Sequence, residues 1–290
     1  MNAPVIVGFD GSATARSAVH YGAREAQRRG GDLQITHALG WPVILPPFHA
    51  PYDLHDQGQR TAMLDLLAKV AHEVQEEHSS LSVTTRLLDG PTSSILIDAS
   101  RNAQLLVVGH RGSGGFADLL TGSVATQVAG HTRCPAVIVR GDDQLPDDRP
   151  IVVGTDGSSG SRAAAEAAFT QARLRNAELI LAHHSARRSS AGALATSTPP
   201  FWATIGDAAA GTHDISAQYP VVKYRTEVIS GDSAAAALMN FSQRLAAGLL
   251  VVGSRGLGGF TGLLMGSTSR SLIDHAPCPV MVVPSAHDAK

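Results

Sequence analysis

The chain is poor in several things at once. It holds two cysteines in 290 residues, too few for a disulfide framework. They stand at Cys134 and Cys278, each just before a proline, and read as buried structure in a reducing compartment. The net charge is −2 at pH 7, which gives no electrostatic case for binding nucleic acid or an anionic membrane surface. No apolar run approaches the roughly 20 residues needed to span a bilayer. Met1-Asn-Ala-Pro4 leads straight into an apolar run with no cleavable signal pattern, so a cytoplasmic location is expected. Two familiar phosphate signatures are missing. There is no Gly-x4-Gly-Lys-Ser/Thr, and the first apolar run leads into Gly8-Phe-Asp-Gly-Ser12 rather than Gly-x-Gly-x-x-Gly. No nucleophile–base pair and no His/Cys metal cluster stands out. The balance, 43% hydrophobic and 17% charged, is that of an ordinary globular protein.

What is present is one pattern written twice. Gly109–Ser123 reads GHRGSGGFADLLTGS and Gly253–Ser267 reads GSRGLGGFTGLLMGS, 144 residues later. Both fit Gly-x2-Gly-x9-Gly-Ser and both follow the apolar run LLVV. VIVGFDGS at Val5–Ser12 returns as VVGTDGS at Val152–Ser158, and HTRCPAVIV at His131–Val139 returns as HAPCPVMVV at His275–Val283. The period is far longer than the roughly 20–50 residues of solenoid repeats and has the size of a domain. Two homologous domains are expected, 1–141 and 151–290, joined by the polar, proline-bearing linker 142–150.

Within each unit, apolar runs alternate with helical patterns. Val5–Phe9, Leu33–Leu39, Ser82–Leu88, Leu105–Val108 and Ala136–Val139 read as strands. Ala15, Ala18, Val19, Gly22, Ala23 and Ala26 form a helical stripe that Gly30-Gly31 stops, and Met63, Leu66, Leu67, Val70 and Val74 form another. Pro91 opens a third helix. In the second unit the strands are Ile151–Gly154, Leu179–His183, Val222–Val228, Leu249–Val252 and Val280–Val283, with a helix near Ile205–Ile215. Such alternation means an α/β fold with a mainly parallel sheet. Two long loops, Gly40–Gly58 and Arg187–Pro200, read either as lids or binding surfaces, or as plain surface loops.

The glycine loops suggest phosphate. A phosphate needs main-chain N–H groups brought close, and glycine removes the side chain that would stand in the way. Gly122-Ser123 and Gly266-Ser267 then open helices, whose free N–H groups and dipole favour an anion. Asp10 and Asp156 close the first strands. There, ligands bind open parallel sheets at the strands' carboxyl ends, and an Asp can meet a ribose hydroxyl or a metal. The same Asp can equally cap the following helix. Arg111 and Arg255 either pair with phosphate or face solvent, and His131 and His275 read as helix C-terminal residues.

Together these residues resemble the universal stress protein family in its tandem, two-domain form, and the likeness covers nearly the whole chain. Its most specific part is the doubled Gly-x2-Gly-x9-Gly-Ser/Thr, which is similar to the ATP-binding branch. The resemblance implies two five-stranded parallel-sheet domains of order 3-2-1-4-5, Rossmann-like, related by a pseudo-twofold, with the last strands pairing. It implies that Gly8, Asp10 and Ala38 line the adenosine site of the first unit. Gly109, His110, Arg111, Gly112, Ser113, Gly114, Gly115, Gly122, Ser123 and Val124 then hold phosphate. The second unit matches with Gly154, Asp156, His184, Gly253, Ser254, Arg255, Gly256, Leu257, Gly258, Gly259, Gly266, Ser267, Thr268 and Ser269. His184 stands where a small apolar residue is expected, so the second base pocket is expected to differ.

The function implied is nucleotide sensing in stress response or growth control, with ATP, carried with Mg2+, as the ligand. A homodimer, an unidentified protein partner and no membrane span are expected. Two alternatives stay open. One is a slow Mg-dependent ATPase using Asp10 or Asp156. The other is a non-enzymatic interaction scaffold.

Overall fold

A computed structural model describes residues 3–40, 57–113, 121–140, 146, 148–185, 214–256 and 265–285. By packing, the chain divides into two compact units, 1–128 with 132–134, and 129–131 with 135–290.

The first unit contains β1 (Val5–Gly8), α1 (Ala13–Arg29), β2 (Leu33–Leu39), α2 (Gln57–Glu77), β3 (Val83–Asp89), α3 (Thr92–Ala99) and β4 (Leu105–Gly109). The greater part of α4 (Ser123–His131) completes it. β1 lies between β2 and β4, parallel to both, and β3 lies outside β2. Val5, Val7, Leu33, Ile35 and Leu105–Val107 are sealed from water, as continuous apolar strands covered on both faces must be.

Local chemistry sets the helix limits. Ser12 caps α1, its hydroxyl accepting the Ala15 N–H at 3.2 Å. Gly30, left-handed at φ 57°, ends α1 by returning its N–H to the Ala26 and Gln27 carbonyls. Gly22 sits against the sheet so closely that a Cβ would meet Val7 Cγ2 at 2.4 Å.

The second unit repeats the plan with β6 (Ile151–Thr155), α5 (Ser159–Arg175), β7 (Leu179–His184), β8 (Tyr224–Ile229), α6 (Ala234–Arg244), β9 (Leu249–Gly253), α7 (Ser267–His275) and β10 (Val280–Val283). Its parallel order is β8-β7-β6-β9-β10, the expected 3-2-1-4-5. Ser158 caps α5 and left-handed Asn176 ends it.

β5 (Ala136–Val139) closes the first repeat in sequence, yet it packs with the second unit. There it runs antiparallel to β10, with Met281 opposite Val137, so the expected pairing of last strands is observed. Arg140 follows it and donates from Nη1 to the Ile273 carbonyl at 2.8 Å, placing a cation on the last turn of α7.

The strand expected from Val222 starts at Tyr224 instead. The Val222 N–H turns back to the Tyr219 carbonyl at 3.0 Å, which closes a turn before the ladder begins. Of the helix expected near Ile205–Ile215, all but the end lies outside the described residues, and 214–216 are helical. The loop 41–56 and the stretch 186–213 also lie outside them.

Candidate nucleotide-binding sites

From β1 the chain crosses to β2 on one side and later returns to β4 on the other. The carboxyl ends of β1 and β4 therefore bound a crevice, the usual ligand position in such a sheet. A cavity of about 400 Å³ opens there, lined among others by Gly8, Phe9, Asp10, His37, Ala38, Thr92, Leu96, Gly109, Arg111, Gly112 and 122–125. The second unit has its counterpart, about 480 Å³, lined among others by Gly154, Asp156, His183, His184, Leu238, Gly253, Arg255, Gly256 and 265–269.

Asp10 is a strut. Its Oδ1 accepts the Ser12 N–H at 3.0 Å and its Oδ2 accepts the Ser113 N–H at 2.6 Å, tying the end of β1 to the glycine loop 103 residues later. Helix capping falls to Ser12, not Asp10. Burial pushes the Asp10 carboxyl up, but hydrogen bonds from Ser12 and Ser113 outweigh it and hold the group below its ordinary 3.8. In the second unit Asp156 Oδ1 accepts the Ser158 N–H at 3.0 Å.

The motif glycines divide into two kinds. A Cβ on Gly112 would meet Asp10 Oδ2 at 2.5 Å, and one on Gly256 would meet Asp156 Oδ2 at 2.3 Å. A Cβ on Gly109 would meet the Thr14 main chain at 2.8 Å, and one on Gly253 the Gly160 carbonyl at 2.8 Å. The fold itself demands these four. Gly122 and Gly266 differ. Their φ values, −70° and −67°, suit any residue, and the nearest described atom to an added Cβ is 3.6 Å away in both. Among the described residues nothing requires glycine there.

Gly122 and Gly266 are also the N-caps of α4 and α7, and among the described residues neither helix receives a side-chain cap hydrogen bond. The first N–H groups of both helices have no intrahelical partner, and 123–125 and 267–269 line the cavities. The Gly122 N–H donates to the His110 carbonyl and the Gly266 N–H to the Ser254 carbonyl, each at 2.8 Å, so both loops are clasped alike at their necks. Arg111 lines the first cavity with its Nε buried.

The expected site residues are mostly brought together. Gly8, Asp10, Ala38, Gly109, Arg111, Gly112, Gly122, Ser123 and Val124 line one cavity. Gly154, Asp156, His184, Gly253, Arg255, Gly256, Gly266, Ser267, Thr268 and Ser269 line the other. The Ser269 hydroxyl is taken by the Gly253 carbonyl at 2.7 Å. His110, Ser113 and Ser254 serve the loops through their main chains. Gly114, Gly115, Leu257, Gly258 and Gly259 lie outside the described residues.

At the position of Ala38 in the first unit, His184 donates from Nε2 to the Gly231 carbonyl at 3.1 Å. Sequence reasoning passed over His37 and His183, and over the apolar pair Leu96 and Leu238, all of which line cavities. The histidines had a signal: each follows its aspartate by 27 residues and lies near the carboxyl end of the second strand of its unit.

Comparison with known proteins agrees with the duplicated plan. A sequence model described as "Universal stress protein family" matches twice, at residues 1–140 and 149–284. A universal stress protein of Mycolicibacterium smegmatis is 33% identical, with 96% of each chain covered. One of Mycobacterium tuberculosis is 32% identical, with 96% of this chain and 95% of that one covered. The crystal structure of a universal stress protein from Archaeoglobus fulgidus superposes with a TM-score of 0.75 at 21% identity, covering 99% of this chain and 100% of that one. Two matches to the family model, over most of the chain, and tandem sites built to one plan make this chain a member of the universal stress protein family.

Proposed function

We propose that the chain binds an adenine nucleotide, ATP, in each of its two cavities, and acts as a nucleotide-sensing regulator in stress response or growth control. The observation that carries this reading is the pair Gly122 and Gly266. Each stands at an uncapped helix N-terminus, in a conformation that any residue could adopt, and faces a cavity. Glycine there serves the close approach of a ligand rather than the fold, and a helix N-terminus favours an anion.

Cavities of about 400 and 480 Å³ fall within the roughly 300–1,000 Å³ of small-molecule sites. Phosphate charge would be met by main-chain N–H groups and by Arg111 and Arg255, and Mg2+ would arrive with the nucleotide. In this reading the domains are 1–141 and 151–290, joined by 142–150. The protein works in the cytoplasm as a homodimer, through a protein partner that responds to occupancy.

The experiment is to heat-denature freshly purified protein and to quantify the released small molecules by chromatography and mass spectrometry. About two adenine nucleotides per chain are expected. No nucleotide released, and none bound on adding Mg-ATP, sinks the reading.

A further inference from the structure

We propose that Thr14 is a positioning residue of the first site: its hydroxyl holds the peptide between Arg111 and Gly112 so that the Gly112 N–H faces the ligand's phosphate. The proposal rests on the nucleotide-site reading above and concerns how the glycine loop is set before a ligand arrives.

Thr14 stands in the first turn of α1, two residues after the cap Ser12. Its hydroxyl donates to the Arg111 carbonyl, 97 residues away in sequence. A carbonyl only accepts, so the single Thr14 proton is used there. The Ser12 hydroxyl lies 3.2 Å from Thr14 Oγ1 and is therefore the donor of that pair, while its own oxygen accepts the Ala15 N–H. Ser12, Thr14 and Arg111 form one directed chain, in which each bond polarises the next.

In a planar trans peptide the carbonyl and the following N–H point in opposite directions. With the Arg111 carbonyl fixed on α1, the Gly112 N–H is turned away from α1. Gly122, the N-cap of α4, is its neighbour: the Gly112 nitrogen would lie 3.7 Å from a Cβ placed there. Among the described residues no acceptor takes the Gly112 N–H, whereas the next one, that of Ser113, is taken by Asp10. Arg111 Nε is also buried without a partner among the described residues. The loop thus presents open donors beside the uncapped start of α4, and main-chain N–H groups gathered in this way favour an anion.

The second unit reaches the same arrangement by another route. Two residues after its cap Ser158 stands Gly160, which has no hydroxyl to offer. The loop comes closer instead: a Cβ on Gly160 would meet the Arg255 carbonyl oxygen at 2.5 Å. That carbonyl too faces its helix, and the Gly256 nitrogen would lie 3.9 Å from a Cβ on Gly266. What both units keep is the orientation of the peptide, not the bond that sets it.

The test uses the full chain as wild type, as Thr14→Val, which keeps the branched shape without the hydroxyl, and as Thr14→Ser, which keeps the hydroxyl. ATP binding is read by calorimetry. Valine is expected to weaken one of the two sites about tenfold, as for a lost hydrogen bond to a charged group, and to leave the other as it was. Serine should stay within about twofold of the wild type. Adenosine, titrated by NMR, carries no phosphate and should bind all three proteins alike.

ATP binding unchanged in the valine variant overturns the proposal and leaves the nucleotide reading standing. Adenosine weakened together with ATP also overturns it, since the hydroxyl would then shape the whole cavity. So does a serine variant as weak as the valine one. Should valine prevent folding, alanine at the same position is put to the same measurements with the same outcomes. A wild type that binds no ATP overturns the nucleotide reading, and this proposal with it.

Discussion

At Gly112 and Gly256 a single added methyl group would stand 2.5 and 2.3 Å from an aspartate oxygen. Asp10 must then leave the loop it ties and Asp156 must shift, so Gly112→Ala with Gly256→Ala is expected to weaken ATP binding at least tenfold, or about 1.4 kcal/mol, as read by calorimetry. Asp10 itself gives a pH prediction. Its folded-state carboxyl titrates below the ordinary 3.8 because N–H and hydroxyl donors outweigh burial. A depressed carboxyl contributes stability that is present above the unfolded value and lost as pH falls through the folded one. The tie between β1 and the glycine loop should thus persist from neutral pH to about pH 4 and fail below it. A carbon-13 titration of the Asp10 carboxyl checks this, and a midpoint at or above 3.8 contradicts the strut.

Among the helices, capping separates structure from function. Ser12 and Ser158 cap α1 and α5 through their hydroxyls, and replacing either with alanine should cost about 1 kcal/mol in urea unfolding. α4 and α7 open on glycine without such a cap. Among the described residues, aspartate at Gly122 and Gly266 has room for its Cβ, with 3.6 Å to the nearest atom. It would supply the absent cap and a favourable charge at the helix start. Gly122→Asp with Gly266→Asp should therefore raise the stability of the nucleotide-free protein by about 0.5–1 kcal/mol. The same change should lower ATP affinity more than tenfold, because the carboxylate occupies the N–H groups that phosphate would use and repels it. Lower stability together with unchanged affinity would show that these helix ends hold no anion.

For the molecule as a whole, the cysteines report on global opening. Burial pushes the Cys134 thiol up to about 11 and Cys278 up to about 12. The thiolate is the reacting form. Both should resist a thiol reagent at pH 8 in the native protein and react at once in denaturant. Fast labelling of either in the native state would mean that its surroundings open without global unfolding.

Much of this design was legible in the chain. The 144-residue recurrence of the glycine loop announced two units, and the apolar runs placed β1, β2, β4, β5 and β10 to within a residue. Gly30 and Pro91 marked helix ends because backbone geometry acts within a turn of chain, whereas the cap of α1 proved to be Ser12 and not Asp10. β8 was misplaced because a turn at Tyr219 competed locally with an apolar pair, Val221-Val222.

What the residues alone left open depended on neighbours distant in sequence. Asp10 read equally as a cap or a ligand-binding group until sheet order brought it to Ser113. The six motif glycines looked alike until Thr14, Asp10, Gly160 and Asp156 proved to stand against four of them, while no described atom comes nearer than 3.6 Å to an added Cβ on the other two. His37 and His183 became site residues only when their strands were seen to end beside the cavities. Periodicity and capping are short-range and therefore written in the sequence itself. Which strand lies beside which, and so which side chains share a cavity, is decided by packing across the sheet, and only the tertiary structure carries that.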